Sequence, residues 1–138
     1  DEAAFTAETQ RVRRAIEAAI RSGRTAAAYT CRRELVIPGD TPESALLRSV
    51  KISDAVQSLV GGLEVRPAFV LAKGGITSSD VGTKALGVKR ATVLGQICPG
   101  VPVWRTGGES RFPGIPYIIF PGNVGSDATL REAVEKLL

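Results

Sequence analysis

Phe69-Val70-Leu71-Ala72-Lys73-Gly74-Gly75-Ile76-Thr77 reads as a buried strand that runs directly into a glycine pair and then a helix. Ala68 to Ala72 is a continuous apolar run, the pattern of a strand covered on both faces. Thr77 to Leu86 follows as a short helix ended by Gly87, with Thr77 as N-cap and Asp80 completing an imperfect capping box. The same build recurs at Ile118-Ile119-Phe120-Pro121-Gly122-Asn123-Val124-Gly125-Ser126. There the strand Ile115 to Phe120 gives way to glycines, and Ser126 caps a terminal helix reaching Leu138. Ligands of open α/β sheets bind beyond the carboxyl ends of strands, where glycine lets the backbone approach a phosphate closely. A helix starting there adds free N–H groups and the positive end of its dipole. One such turn is ordinary loop geometry; two in one small domain point to phosphate binding.

Outward from these loops, strands and helices alternate. A first helix is expected from Thr6, as N-cap, to Ser22, with Val12, Ile16 and Ile20 as its buried stripe and Gly23 ending it. Ala26 to Cys31 reads as a short buried strand, and Pro38-Gly39 as a turn. Thr41-Pro42 opens a second helix, closed by Gly61-Gly62. Ala91 to Ile97 and Val101 to Arg105 are further strands split by Pro99-Gly100, and Thr106 to Gly114 is a mobile surface loop. The expected fold is an α/β layered domain, α/β/α, over residues 1–138, with a largely parallel or mixed sheet.

Composition narrows the function. Of 138 residues, 43% are apolar and 23% charged, which is globular, and 18 basic against 14 acidic residues give only +4. With aromatics at 5% there are few platforms for stacking bases, so nucleic acid is not the expected partner; small anions suit the mild charge. Histidine is absent and the two cysteines, Cys31 and Cys98, form no CxxC, which argues against structural zinc and against a histidine base. The cysteines read as core residues of a reducing compartment, hence a cytoplasmic protein, and no apolar run approaches the ~20 residues of a membrane span. Methionine is also absent. Asp1 is therefore expected not to be a natural start, and the chain to be part of a longer protein.

Neither loop is a P-loop, and neither has the spacing of a dinucleotide fingerprint. Lys73 could neutralise a phosphate or simply be solvated. Asp80 is a weak candidate for magnesium, no metal site is expected from side chains alone, and Trp104 is read as packing in preference to an adenine platform.

In four motifs the chain resembles the C-terminal nucleotide-binding domain of the four-carbon acid sugar kinases. These are Lys73-Gly74-Gly75-Ile76-Thr77, Ala85-Leu86-Gly87-Val88, Pro99-Gly100-Val101-Pro102 and Gly122-Asn123-Val124-Gly125, in that order and spacing. The resemblance implies an ATP-binding domain, with Mg2+, of a kinase for acids such as threonate or erythronate. An N-terminal domain outside this chain would hold the acid. It places Gly74, Gly75, Ile76 and Thr77 on a first nucleotide-binding loop and Gly122, Asn123 and Gly125 on a second. The chain departs from the family at Ile76, where an acidic residue is usual, and at Phe120, where a lysine is usual. Both departures remove charge, and no catalytic residue is assigned. The alternatives are a nucleotide- or phosphometabolite-sensing module without turnover and, behind it, a structural scaffold.

Overall fold

The computed structural model describes residues 1–138, which divide into two compact units, Asp1–Val65 and Arg66–Leu138. The first unit is two helices, α1 (Glu2–Arg21) and α2 (Pro42–Gly61). Thr41 and Ser44 form the reciprocal capping box of α2, each side chain accepting from the other's backbone N–H at 3.1 and 3.0 Å, with Pro42 at the first turn. Helix α1 starts earlier than Thr6: Asp1 is its N-cap, accepting from Ala3 N at 2.9 Å, because Ala3, Ala4 and Phe5 are good enough helix residues to extend it. Its inward stripe is mixed. Ile16 and Ile20 are half-buried, whereas Glu17 is buried, accepting from Glu64 N at 2.9 Å. Gly62 lies under Arg13; a Cβ there would meet the Arg13 guanidinium at 2.4 Å.

The strand expected at Ala26–Cys31 does not form, and Cys31 is exposed while Cys98 is buried. Half of that stretch is alanine, a weak strand former, and a strand exists only through a partner that takes up its N–H and C=O groups. No strand lies in the first unit to provide one.

The second unit contains β1 (Val70–Lys73), α3 (Gly75–Asp80) continued by a π-helical turn at Val81–Ala85, β2 (Ala91–Cys98), β3 (Val101–Thr106), β4 (Pro116–Phe120) and α4 (Thr129–Glu135). The sheet order is β1-β4-β3-β2. It is α/β and mixed as expected, with parallel pairing confined to β1–β4, where Val70 faces Tyr117 and Lys73 faces Phe120. β2–β3 and β3–β4 are antiparallel, since no helix intervenes to carry the chain back across the sheet. Gly100, at φ 79°, makes the β2–β3 turn, and Gln96 accepts from its N–H at 2.7 Å. Cys98, Val101, Ile118, Phe120 and Ala133 form one core cluster, to which β4, paired on both edges, contributes Ile118 and Phe120.

The Thr106 to Gly114 stretch, expected to be a mobile surface loop, is tied down, and Thr106 itself belongs to β3. Ser110 donates to Leu86 O at 2.9 Å, Phe112 is buried, and Glu109 accepts from Lys89 N and Arg90 N at 2.8 and 2.6 Å. Its own backbone N–H first, and then those of Arg90 and Lys89, hold the Glu109 carboxyl below its usual range. Ser126 is not the N-cap of the last helix; that position is Ala128, and the Ser126 N–H instead donates to Thr129 Oγ1 at 2.8 Å.

The π turn has a visible cause. The Tyr117 hydroxyl donates to Ser78 O and accepts from Gly82 N–H, the two groups that would otherwise bond each other in an α-helix. A Cβ on Gly82 would sit 3.0 Å from the Tyr117 ring, so glycine is what lets the phenol enter. Burial pushes the phenol above the ordinary tyrosine range, against a smaller opposing effect of the Gly82 N–H. Tyr117→Phe is expected to cost about 1–2 kcal/mol, the usual cost of unsatisfied buried hydrogen-bonding groups. Thermal melts should show a drop of several degrees with the fold retained; an unchanged melt would mean that the helix closes the gap unaided.

Candidate functional site: two glycine loops on one parallel strand pair

The parallel pairing of β1 with β4 puts the carboxyl ends of both strands side by side, and with them both glycine loops. Gly74 N donates to Phe120 O at 2.9 Å, extending the ladder one residue past β1. A Cβ on Gly122 would lie 3.8 Å from Gly74 Cα, so the two loops are in contact. Lys73 Nζ donates to Gly122 O at 3.3 Å, and its ammonium lies 5.9 Å from the Phe120 ring centroid.

The glycines divide into two kinds. Gly74 (φ 104°) and Gly125 (φ 74°) occupy backbone conformations that L side chains rarely adopt. A Cβ on Gly125 would in addition strike Thr129 at 2.4 to 2.6 Å. Gly75 and Gly122 are different. Neither has positive φ, a Cβ on Gly75 meets nothing within 4 Å, and one on Gly122 makes only ordinary contact. The fold requires glycine at the first two positions and does not require it at the last two.

Thr77 is not the cap of α3. Gly74 is the N-cap, and Gly75, Ile76 and Thr77 form the first turn, because Gly74 O already accepts from Ser78 N at 2.9 Å. No side chain caps this helix, which leaves first-turn N–H groups available to solvent or an anion. The helix is anchored below by Ser78 Oγ, which donates to Ala72 O at 2.9 Å, and by Tyr117. Thr77 is half-buried, and its hydroxyl oxygen lies 3.8 Å from where a Gly74 Cβ would be.

Gly75, Ile76, Gly122, Asn123 and Gly125 are all exposed, so the site is an open shelf. Ile76 is 75% exposed and carries no charge, while Phe120 is in the core at 2%. Asp80 pairs with Lys84 at 3.2 Å. No group of three or more His, Cys, Asp or Glu side chains converges to hold a metal. Trp104 packs edge-to-face on Tyr117, centroids 6.5 Å apart.

Two concavities lie in the first unit, of about 300 Å³ between α1 and α2 and about 620 Å³ between residues 30–36 and α2. The second contains Arg48, but Asp40 engages that guanidinium with both carboxylate oxygens, and the pairing keeps the Asp40 carboxyl below its usual range. The reach of Lys73 to the second loop and the insertion of Tyr117 are the features that sequence reasoning missed, since both depend on the β1–β4 register.

Comparison with known proteins agrees with this geometry. No curated protein matches the chain. A crystal structure of a domain of unknown function (DUF1537) from Bordetella bronchiseptica, a domain-swapped dimer with bound citrate, superposes over 99% of this chain with a TM-score of 0.61 and 23% identity. This chain spans 32% of the length of that one. No helix is long and apolar enough to cross a membrane. The sequence model of the nucleotide-binding C-terminal domain matches residues 1–130, nearly the whole length, and the chain belongs to that family.

Proposed function

We propose that this chain is the ATP-holding domain, over residues 1–138, of a cytoplasmic kinase that phosphorylates a four-carbon sugar acid. Gly74, Gly75, Ile76, Thr77, Gly122, Asn123 and Gly125 form its phosphate shelf. The observation that carries the reading is the contact between the two loops at the ends of one parallel strand pair, with glycine at Gly75 and Gly122 where the fold does not demand it. The backbone N–H groups of Gly75, Ile76 and Thr77 would donate to phosphate oxygens, and Gly122 and Asn123 would close the other side. Magnesium, when bound, would neutralise charge on the phosphates. Phosphoryl transfer needs mainly positioning and charge stabilisation, which such a shelf is suited to give. The acid and the group that accepts its proton belong, in this reading, to a further domain. The citrate bound in the structural neighbour, itself a hydroxy acid, supports the acid class.

Calorimetry with Mg-ATP and Mg-ADP tests this directly. An open shelf with few side-chain contacts should give a dissociation constant of about 0.1–1 mM, or roughly −4 to −5.5 kcal/mol. No binding up to about 10 mM would remove the proposal.

A second reading, a nucleotide-sensing module without turnover, is favoured by the uncharged, exposed Ile76 and the buried Phe120. ADP binding without any ADP release from ATP, with threonate or erythronate supplied to the longer protein, would select it.

A further inference from the structure

We infer that Lys73 is the phosphate-neutralising cation of the shelf, supplied from β1 and held in place by the second loop. This inference rests on the nucleotide reading above and adds to it a residue, a charge and a ligand part. Lys73 is the last residue of β1 and the first of its loop, and its ammonium is hydrogen-bonded to Gly122 O on the other loop at 3.3 Å. One side chain therefore spans both halves of the shelf. Lysine carries three N–H donors, and the carbonyl uses one. The Phe120 ring, 5.9 Å away and itself fixed in the core, borders the same ammonium and limits where it can swing.

Charge balance points the same way. No carboxylate pairs with Lys73, whereas Asp80, the acidic residue of α3, is engaged by Lys84. Ile76, two residues along the first loop from Gly74, offers nothing to compete for the cation. An unpaired ammonium beside uncapped helix N–H groups and two exposed glycines is a place that lacks negative charge. An oligophosphate supplies several oxygens to such a place, and the two remaining Lys73 donors can reach them without breaking the Gly122 bond. The carbonyl contact has a second effect. It orients the cation before the ligand arrives, which reduces the rotamer entropy lost on binding.

The experiment is a titration of the full chain by NMR chemical shift or calorimetry with two probes, ADP and inorganic tripolyphosphate. Wild type is compared with Lys73→Met and Lys73→Arg. Lys73→Met is expected to weaken both ligands about tenfold, a factor typical of losing one charge-assisted hydrogen bond, and to leave the unliganded melting temperature unchanged because the side chain is exposed. Lys73→Arg should stay within about threefold of wild type, and affinity should fall less steeply with added salt in Lys73→Met than in wild type. Equal affinity of wild type and Lys73→Met for both probes would overturn the inference and leave the nucleotide reading intact. So would weakening of ADP without weakening of tripolyphosphate, since the lysine would then act on the nucleoside. Failure of the wild-type chain to bind either probe would overturn the nucleotide reading itself and this inference with it.

Discussion

Gly125→Ala is expected to lower the melting temperature of the chain by roughly 10 °C or more, whether or not nucleotide is present. Two separate costs add. The backbone at Gly125 sits at φ 74°, where an alanine costs about 1–2 kcal/mol. The new methyl would also lie 2.4 Å from Thr129 Oγ1 and 2.6 Å from its Cβ and Cγ2. Cβ is bonded directly to the backbone of α4, so this overlap cannot be relieved by swinging the end of a long side chain. Relief means displacing Thr129, which is buried and whose hydroxyl accepts from Ser126 N at 2.8 Å. Overpacking of this kind typically costs about 1–3 kcal/mol. A combined loss of about 2–5 kcal/mol in a small unit corresponds to a shift of the size stated. A melt within 2 °C of wild type would show that the turn before α4 rearranges freely, and Gly125 would lose its structural role.

Much of the architecture around the site could be read from short-range pattern. The apolar run into Gly74-Gly75 marked β1 and α3, Pro99-Gly100 marked the β2–β3 turn, and Thr41-Pro42 marked the start of α2. What failed were features that depend on a partner. Ala26–Cys31 is apolar enough for a strand, but strandedness is a pairing and nothing in its unit pairs with it. Thr77 has the side chain of a cap, but the cap is where the backbone leaves helical angles, and that is Gly74. The closeness of the two loops depends on β1 and β4 lying parallel, which brings Lys73 to a carbonyl 49 residues away in sequence. The same pairing sets Tyr117 against α3, and no local signal announces a phenol inserted between a helical carbonyl and its N–H partner.

Gly75→Ala and Gly122→Ala should separate ligand approach from turn geometry by moving binding and stability in different directions. Gly75 is the first helical residue of α3, has no positive φ, and would point a Cβ into space empty to 4 Å. Alanine there restricts the unfolded chain without straining the folded one, a change that ordinarily stabilises by about 0.4–1 kcal/mol. The unliganded melting temperature of Gly75→Ala should therefore rise by a few degrees. Gly122→Ala should melt near wild type, its Cβ resting at 3.8 Å from Gly74 Cα. If phosphate oxygens lie against this backbone, the same methyl groups occupy the approach path and lengthen hydrogen bonds that weaken steeply with distance and angle. Losing one bond to a charged oxygen, about 1.5–3 kcal/mol, weakens ADP by tenfold or more. The signature is a protein that is as stable as wild type, or more so, and no longer gains stability when Mg-ADP is added. Variants that keep the full ligand-induced shift would reduce Gly75 and Gly122 to ordinary loop residues and move the phosphates elsewhere. A marked drop in the unliganded melt would instead show that the fold itself needs glycine there.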